Sequence, residues 1–404
     1  MKTLERRYLL PFILVTSLFF MWGMANSMND TLIAAFKRIM SMSDAQTSLI
    51  QCAFYGSYFC FALPAALFIR KHSYKAGIIL GLSLYALGAM LFYPASQVAS
   101  YGFFLLALYV LASGCSILET TANPFILSMG SPETATRRLN IAQALNPVGN
   151  ITGILAAQYF FLDKLEDFTA ISNTYMGIGC ILLLILVVIA FAKVPQTQLG
   201  QQETDAQVMT NKEAFRILTH NKRYCLGVLA QFAYVGAQTG VWSFTIRLVM
   251  QEMGYQESDA AFLFLLSMIC FCSARFFFTW LMKFFAPAKL MILAGCLSTI
   301  LGLIVVFGAG TGWLVVISLV LISFFMSLMF PTIYGTALEG QHEEATLGAS
   351  GLIMAILGGA VLTPLQGLLS DATSIYTSYL IPTLCFVVVT LYALYADTLS
   401  QKHN

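Results

Sequence analysis

Twelve apolar segments, each about as long as a membrane-spanning helix, follow one another along this chain. A helix needs roughly 20 mostly apolar residues to cross the hydrocarbon core of a bilayer. The segments of this kind are 9–35, 47–69, 76–94, 101–129, 139–162, 174–192, 223–250, 259–282, 289–308, 312–338, 347–370 and 376–396. They predict an all-α membrane protein with twelve transmembrane helices.

The scarcity of charge supports the same fold class. Only 10% of the 404 residues are charged and 58% are hydrophobic, whereas a soluble domain is about 25% charged. The net charge is only +2, and binding to nucleic-acid phosphates needs a large surplus of cations, so a nucleic-acid partner is not expected. The four histidines lie in polar connecting stretches and the nine cysteines form no metal-ligand pattern. We therefore expect neither a metal nor another cofactor.

One polar stretch divides the segments into two groups of six. Residues 194–222 form this linker, in which a short surface helix is expected at 213–219. The predicted domains are therefore a six-helix bundle over 1–193, the linker, and a second bundle over 223–404. Two pseudo-symmetric six-helix bundles are the arrangement of the major facilitator transporters, which bind their substrates near mid-membrane between the halves.

The lysines and arginines predict the orientation of the chain. Sixteen of the 21 lie in segments on the same side as the N-terminus, three lie on the other side, and two lie within spans. Because cytoplasmic loops carry the excess of Lys and Arg, both termini are expected to be cytoplasmic. The first apolar run, from Leu9 to Met28, is too long for the apolar region of a signal peptide.

The first span carries polar residues on one helix face. Trp22, Asn26 and Asp30 are four residues apart, so their side chains leave a helix in the same direction. An aromatic ring, an amide and a carboxylate in one strip suit a sugar ligand. Because ionisable side chains inside a bilayer are costly, Asp30 is a candidate both for proton coupling and for sugar binding. The alternative is that Asp30 lies at the outer end of the span and is simply solvated.

Glu119 lies deep within the fourth span, where its side chain cannot reach water by extending along the helix. Asn123 lies one turn further on the same face, and Pro124 frees a backbone carbonyl. Because burial disfavours the charged form of a carboxyl, Glu119 is expected to take up and release a proton and to bind sugar hydroxyls. The alternative is a neutral acid that fills a packing defect.

Two further spans carry amides at helical spacing. The fifth has Gln143 and Asn146, and the seventh has a stripe of Gln231, Tyr234, Gln238 and Trp242. Amides beside an indole suit a pyranose, whose hydroxyls need hydrogen bonds and whose C–H face packs on an aromatic ring. We interpret Gln143, Asn146, Gln238 and Trp242 as sugar contacts. The alternatives are hydrogen bonds between helices in the fifth span and interfacial aromatics with a packing glutamine in the seventh.

Arg275 lies within the eighth span. It is expected to hold helices together rather than to contact a substrate. Glu339, near the cytoplasmic end of the tenth span, is a candidate partner for it.

Seven short motifs carry a family resemblance. They are 29–30 (ND), 49–55 (LIQCAFY), 73–77 (SYKAG), 118–125 (LETTANPF), 138–143 (RLNIAQ), 230–239 (AQFAYVGAQT) and 330–333 (FPTI). These motifs resemble the fucose/proton symporter family of the major facilitator superfamily. The resemblance extends from about Phe20 to about Phe386, which is nearly the whole chain.

This resemblance implies a transporter of the bacterial inner membrane that couples uptake of a small sugar, L-fucose or a related monosaccharide, to the inward proton gradient. It implies that Asp30 and Glu119 serve protonation and sugar binding, and that Gln143 and Asn146 matter for transport. Ser27 departs from the pattern, because fucose-transporting members carry a second asparagine there. We also expect the chain to act as a monomer in the lipid bilayer.

Several alternatives remain open. Members of the same family transport glucose, galactose or other sugars, some of them with sodium, so a proton- or sodium-coupled hexose symporter is one alternative. A sensor that binds sugar without transporting it is another. Drug export is disfavoured because the stretch 69–75 contains no acidic residue. An enzyme is not expected, since no span contains a histidine.

Overall fold

The computed structural model describes residues 6–39, 44–98, 100–160, 168–192, 209–341 and 344–403. Side chains are described throughout these ranges except at residues 6, 26, 29–39, 44–52, 157–160, 168–171 and 400–403. Within the described ranges the chain is almost wholly helical and contains no strand.

Each predicted span coincides with one helix or with two or more consecutive helices. The helices are α1 (Leu9–Ile39), α2 (Asp44–Lys71), α3 (Tyr74–Val98), α4 (Tyr101–Leu127), α5 (Ala135–Gln143), α6 (Leu145–Phe160), α7 (Phe168–Phe191), α8 (Asn211–His220), α9 (Lys222–Met253), α10 (Glu257–Leu281), α11 (Pro287–Phe307), α12 (Trp313–Met326), α13 (Met329–Ala337), α14 (Ala345–Met354), α15 (Gly358–Ala372), α16 (Ile375–Ser378) and α17 (Leu380–His403). The predicted all-α fold is confirmed, and α8 is the predicted helix of the linker.

Nine helical segments in the described part of the chain are long and apolar enough to cross a membrane. The predicted spans that are not among them are the first, the fifth and the seventh. In the first and the fifth, part of the span falls outside the residues whose side chains are described. In the seventh, α9 has 32 residues, but Gln231 and Gln238 lower its mean hydropathy.

The helices form two compact units. The first unit contains α1–α4, α6, α7 and α14, and the second contains α5, α9–α13 and α15–α17. In the first unit α1 packs on α6, α4 packs on α2 and α3, and α14 packs on α2. In the second unit α9 packs on α13, α15 and α17, and α5 packs on α13. Each unit therefore includes one short helix from the other half of the sequence.

Two prolines coincide with interruptions of predicted spans. Pro147 has no N–H to donate to the carbonyl of Gln143, four residues earlier, and α5 and α6 are separated at Ala144. Pro331 likewise cannot donate to the carbonyl of Ser327, the residue that follows the end of α12. The fifth and tenth spans are therefore each built from two helices rather than one.

Glycines allow α1 and α6 to cross in backbone contact. A Cβ added at Gly23 would lie 1.9 Å from the carbonyl oxygen of Asn146, and one added at Gly149 would lie 2.0 Å from that of Phe20. Helices in membranes associate largely through such close packing of small residues. The crossing fixes the position of Asn146, a predicted site residue, against α1.

We expect Gly149→Ala to lower the thermal unfolding temperature of the purified protein, because the methyl group has no room at the crossing. Overpacking of this kind costs about 1–3 kcal/mol. The matched control is Gly177→Ala in α7, where an added Cβ would meet nothing within 4 Å and where alanine favours the helix. Equal unfolding temperatures for the two variants would contradict the role given to the crossing.

Glu252 lies just beyond the predicted end of the seventh span and joins separate parts of the second unit. Its carboxylate accepts hydrogen bonds from the backbone N–H of Gly310 at 3.0 Å, from the N–H of Gly312 and from the hydroxyl of Tyr376. Gly310 and Gly312 have φ angles of 82° and 60°, which glycine adopts without steric cost. Partial burial alone would raise the pKa of Glu252, but these hydrogen bonds hold the pKa below its usual value.

We expect Glu252→Gln to lower the unfolding temperature at pH 7, since an amide makes weaker hydrogen bonds than a carboxylate. A carboxyl whose pKa is lowered by folding stabilises the protein above its unfolded pKa of about 4.3. That contribution is lost as the pH falls through the folded value. The difference in unfolding temperature between wild type and variant should therefore shrink as the pH is lowered from 7 to below about 4. A difference that stays constant over this range would exclude a role for the charge.

Candidate functional site

Glu119 is held in place by a hydrogen bond from α2. The hydroxyl of Tyr58 donates to Oε1 of Glu119 at 3.3 Å, and Tyr58 is buried. The neighbours of Glu119 in α4, Leu118 and Thr120, are buried as well, whereas Glu119 itself stays partly exposed. The carboxyl is therefore oriented by the packed helices but is still open to a ligand or a proton.

Hydroxyl groups fix the packing of α2 against α4 around this pair. The Oγ atoms of Ser57 and Ser113 lie 2.9 Å apart, and Ser116 donates to the backbone carbonyl of Tyr58 at 3.2 Å. Both the backbone and the side chain of Tyr58 thus bond to α4. Tyr58 could not be predicted from the sequence, because its partner lies 61 residues away in the chain.

Asn26 and Asp30 lie on α1, but their side chains fall outside the described residues. Their predicted roles in proton coupling and sugar binding therefore stay predictions. One turn earlier on the same helix, Trp22 is buried and its ring lies 4.9 Å from that of Phe19.

Asn146 bridges α6 and α1. Its Nδ2 donates to the backbone carbonyl of Phe19 at 3.3 Å, and its Oδ1 accepts from Nδ2 of Asn150 at the same distance. These are the hydrogen bonds between helices that the sequence allowed as the alternative to sugar binding. Asn146 is nevertheless only half-buried, so part of its amide remains accessible.

The polar stripe of α9 divides into buried and accessible residues. Gln231 is fully buried, and the hydroxyl of buried Tyr234 donates to the carbonyl of Met326 at 3.0 Å. Gln238 and Trp242, the two predicted sugar contacts, are partly exposed.

Trp242 is fixed by two contacts in the second unit. Its Nε1 donates to Oγ of Ser323 at 3.3 Å, and its ring meets that of Phe271 edge-on at a centroid distance of 5.0 Å. The indole is therefore held in one orientation before any ligand is present.

Arg275 does not pair with Glu339, so that expectation is wrong. Glu339 instead forms an ion pair with Arg223. Nη1 of the buried Arg275 donates to the backbone carbonyl of Gln143 at 3.3 Å, and its guanidinium lies 5.0 Å from the centre of the Phe271 ring. The partner of Arg275 is thus a backbone carbonyl rather than a carboxylate.

Among the described residues, no group of three or more His, Cys, Asp and Glu side chains is placed to hold a metal ion. What the described groups provide is one accessible carboxyl in the first unit and an amide with a fixed indole in the second. The carboxyl can take up and release a proton, and both the carboxyl and the amides can form hydrogen bonds with a polar solute.

A carboxyl inside an apolar span is typical of membrane transporters, and comparison with known proteins gives the family. The sequence model of the Major Facilitator Superfamily matches residues 12–361. The chain is 40% identical to the L-fucose-proton symporter of Haemophilus influenzae, with 97% of each chain covered. It is 33% identical to a glucose/galactose transporter of Brucella abortus, with 96% of this chain and 95% of that one covered.

A solved structure supports the same assignment. The crystal structure of the Escherichia coli fucose:proton symporter FucP, a single-residue variant, matches with a TM-score of 0.88 at 36% identity. The match covers 97% of this chain and 99% of that one. The chain thus belongs to the Major Facilitator Superfamily and, within it, to the family of the L-fucose-proton symporters, whose members are transporters and not enzymes.

We expect Tyr58→Phe to lower the free energy of unfolding by about 1–3 kcal/mol, because the change leaves the carboxyl of Glu119 without its donor. The loss should be smaller when Glu119 is already replaced by Gln. Tyr93→Phe in α3 is the matched control, since Tyr93 is 46% exposed and its loss should cost almost nothing. Equal effects of Tyr58→Phe in both backgrounds would show that the hydroxyl does not act through Glu119.

Proposed function

We propose that this protein is a secondary active transporter that takes up L-fucose together with protons by alternating access. The observation that carries the proposal is the carboxyl of Glu119, which lies inside an apolar span, bonds to Tyr58 and remains partly exposed. Identity of 40% to a relative named as an L-fucose-proton symporter, over 97% of the chain, supports the choice of substrate.

In this proposal Glu119 and Asp30 are the proton-linked carboxylates. A deprotonated carboxyl only accepts hydrogen bonds, whereas a protonated one can also donate. The charged form of Glu119 therefore accepts from Tyr58, and the neutral form can in addition donate to a sugar oxygen. Because the same group serves both ligands, binding of the sugar and binding of the proton are linked.

The proposed sugar contacts are Asn26, Gln143, Asn146, Gln238 and Trp242, together with the two carboxylates. Trp242 offers a ring that Ser323 and Phe271 hold in one orientation. A pre-oriented ring suits the C–H face of a sugar, and the adjacent amides suit its hydroxyls.

We further propose that the protein lies in the bacterial inner membrane as a monomer with both termini in the cytoplasm. The sixteen-to-three distribution of Lys and Arg supports this orientation. Bundles over 1–193 and 223–404, joined by the linker 194–222, would move against each other to expose the site to either side in turn.

Addition of L-fucose to membrane vesicles that contain the protein should make the external medium more alkaline, because each sugar carries a proton inward. Glu119→Gln should abolish this signal, since an amide cannot carry the proton. Glu133→Gln is the matched control, because Glu133 is exposed between α4 and α5 and should not be needed. Alkalinisation that persists in Glu119→Gln would overturn the role of Glu119.

A hexose symporter is the second candidate, because Ser27 replaces an asparagine of the fucose-transporting members. Oγ of Ser27 donates to the carbonyls of Gly23 and Met24 in its own helix. The vesicle assay should therefore include D-glucose and D-galactose, each with and without sodium. A signal with these sugars alone, or uptake that needs only sodium, would replace the proposal. Binding without counterflow would favour a sensor.

A further inference from the structure

Pro147 leaves one backbone carbonyl without its helical partner. In a continuous helix the N–H of residue 147 would donate to the carbonyl of Gln143, but proline has no N–H. The hydrocarbon of a membrane offers no water to bond such a carbonyl. A donor from a neighbouring helix can take the place of the missing N–H.

Arg275 of α10 supplies that donor. Its Nη1 lies 3.3 Å from the carbonyl oxygen of Gln143, and both residues belong to the second unit. Arg275 is only 4% exposed, and none of the described Asp and Glu side chains pairs with it. A buried arginine without a counter-ion is unfavourable in a bilayer and is therefore a candidate for a functional role.

The side chain of Arg275 also lies against the ring of Phe271, which packs on Trp242. The guanidinium lies 5.0 Å from the centre of the Phe271 ring, a distance at which a cation is attracted to an aromatic face. Phe271 in turn meets Trp242 edge-on. One side chain thus connects the backbone at Gln143 with the ring of Trp242.

We propose that Arg275 is a positioning residue that orients Gln143 and Trp242 for the substrate. By bonding the carbonyl that Pro147 leaves open, it holds the end of α5 and therefore the side chain of Gln143. By lying on Phe271, it also restrains Trp242. Arg275 itself carries no proton in transport. This inference rests on the proposed sugar transport, since it concerns how the sugar contacts are held.

A double-mutant cycle tests the proposal, with the dissociation constant for L-fucose measured by calorimetry on purified protein. Arg275→Met should weaken binding about tenfold, as expected for loss of a hydrogen bond from a charged group. In a Pro147→Ala background the restored N–H can serve the carbonyl of Gln143. There Arg275→Met should weaken binding by no more than about threefold. Equal weakening in both backgrounds would overturn the proposal.

Further measurements separate positioning from general loss of structure. Arg275→Lys should restore part of the affinity, since lysine keeps the charge and one donor but lacks the planar fork. It also replaces Arg275→Met in the cycle if that variant does not fold. The number of protons taken up per sugar should stay at the wild-type value in every Arg275 variant. A changed ratio would place Arg275 in proton coupling and overturn the proposal.

The cycle also distinguishes failure of this inference from failure of the proposed function. If the wild type binds neither L-fucose nor D-glucose nor D-galactose, the proposed function is wrong. The unfolding temperatures of the same four proteins then still test the bond to Gln143. If the wild type binds L-fucose but the two changes act independently, only the role of Arg275 is wrong.

Discussion

The interior of a bilayer supplies no water, so a backbone carbonyl that loses its helical partner has to find a donor within the protein. At two interruptions of the spanning helices, a backbone carbonyl accepts a hydrogen bond from a side chain of another helix. Beside the break at Ala144, the carbonyl of Gln143 accepts from Arg275. At the end of α12, the carbonyl of Met326 accepts from Tyr234. In both cases a side chain of another helix bonds the open end, and the interruption thereby fixes the packing of that helix.

The spans could be predicted from the sequence because the bilayer imposes one length and one polarity on all of them. The interruptions could be predicted only in part. Pro147 and Pro331 are visible in the sequence and mark where the helices break. The side chains that bond the carbonyls beside the breaks are not visible, since they depend on which helices pack together. Arg275 shows the difficulty, because a buried cation suggests a carboxylate such as Glu339, while its partner is a backbone oxygen.

The residues of the candidate site also differ in whether they could be predicted from the sequence. Glu119 could be found from the sequence because a carboxyl inside an apolar span is rare and expensive. Tyr58 could not be found, since tyrosines are frequent in this chain and nothing local distinguishes this one. The bond between Ser57 and Ser113 and the bond from Ser116 to the carbonyl of Tyr58 join α2 to α4 beside it. The charged member of the pair is therefore predictable, and the neutral member requires the tertiary structure.

The polar side chains of a membrane transporter have to satisfy two requirements that compete. Each polar atom needs a partner in the empty protein, yet a ligand needs atoms that are free to bind. In Asn146 and in Trp242, one atom has a partner within the protein and the rest of the side chain stays accessible. Nδ2 of Asn146 bonds to Phe19 while the residue stays half-buried, and Nε1 of Trp242 bonds to Ser323 while the indole stays partly exposed. The internal hydrogen bond fixes the orientation of each group, and the remaining surface stays accessible. For Asn146, hydrogen bonds between helices and the proposed contact to the substrate are therefore compatible.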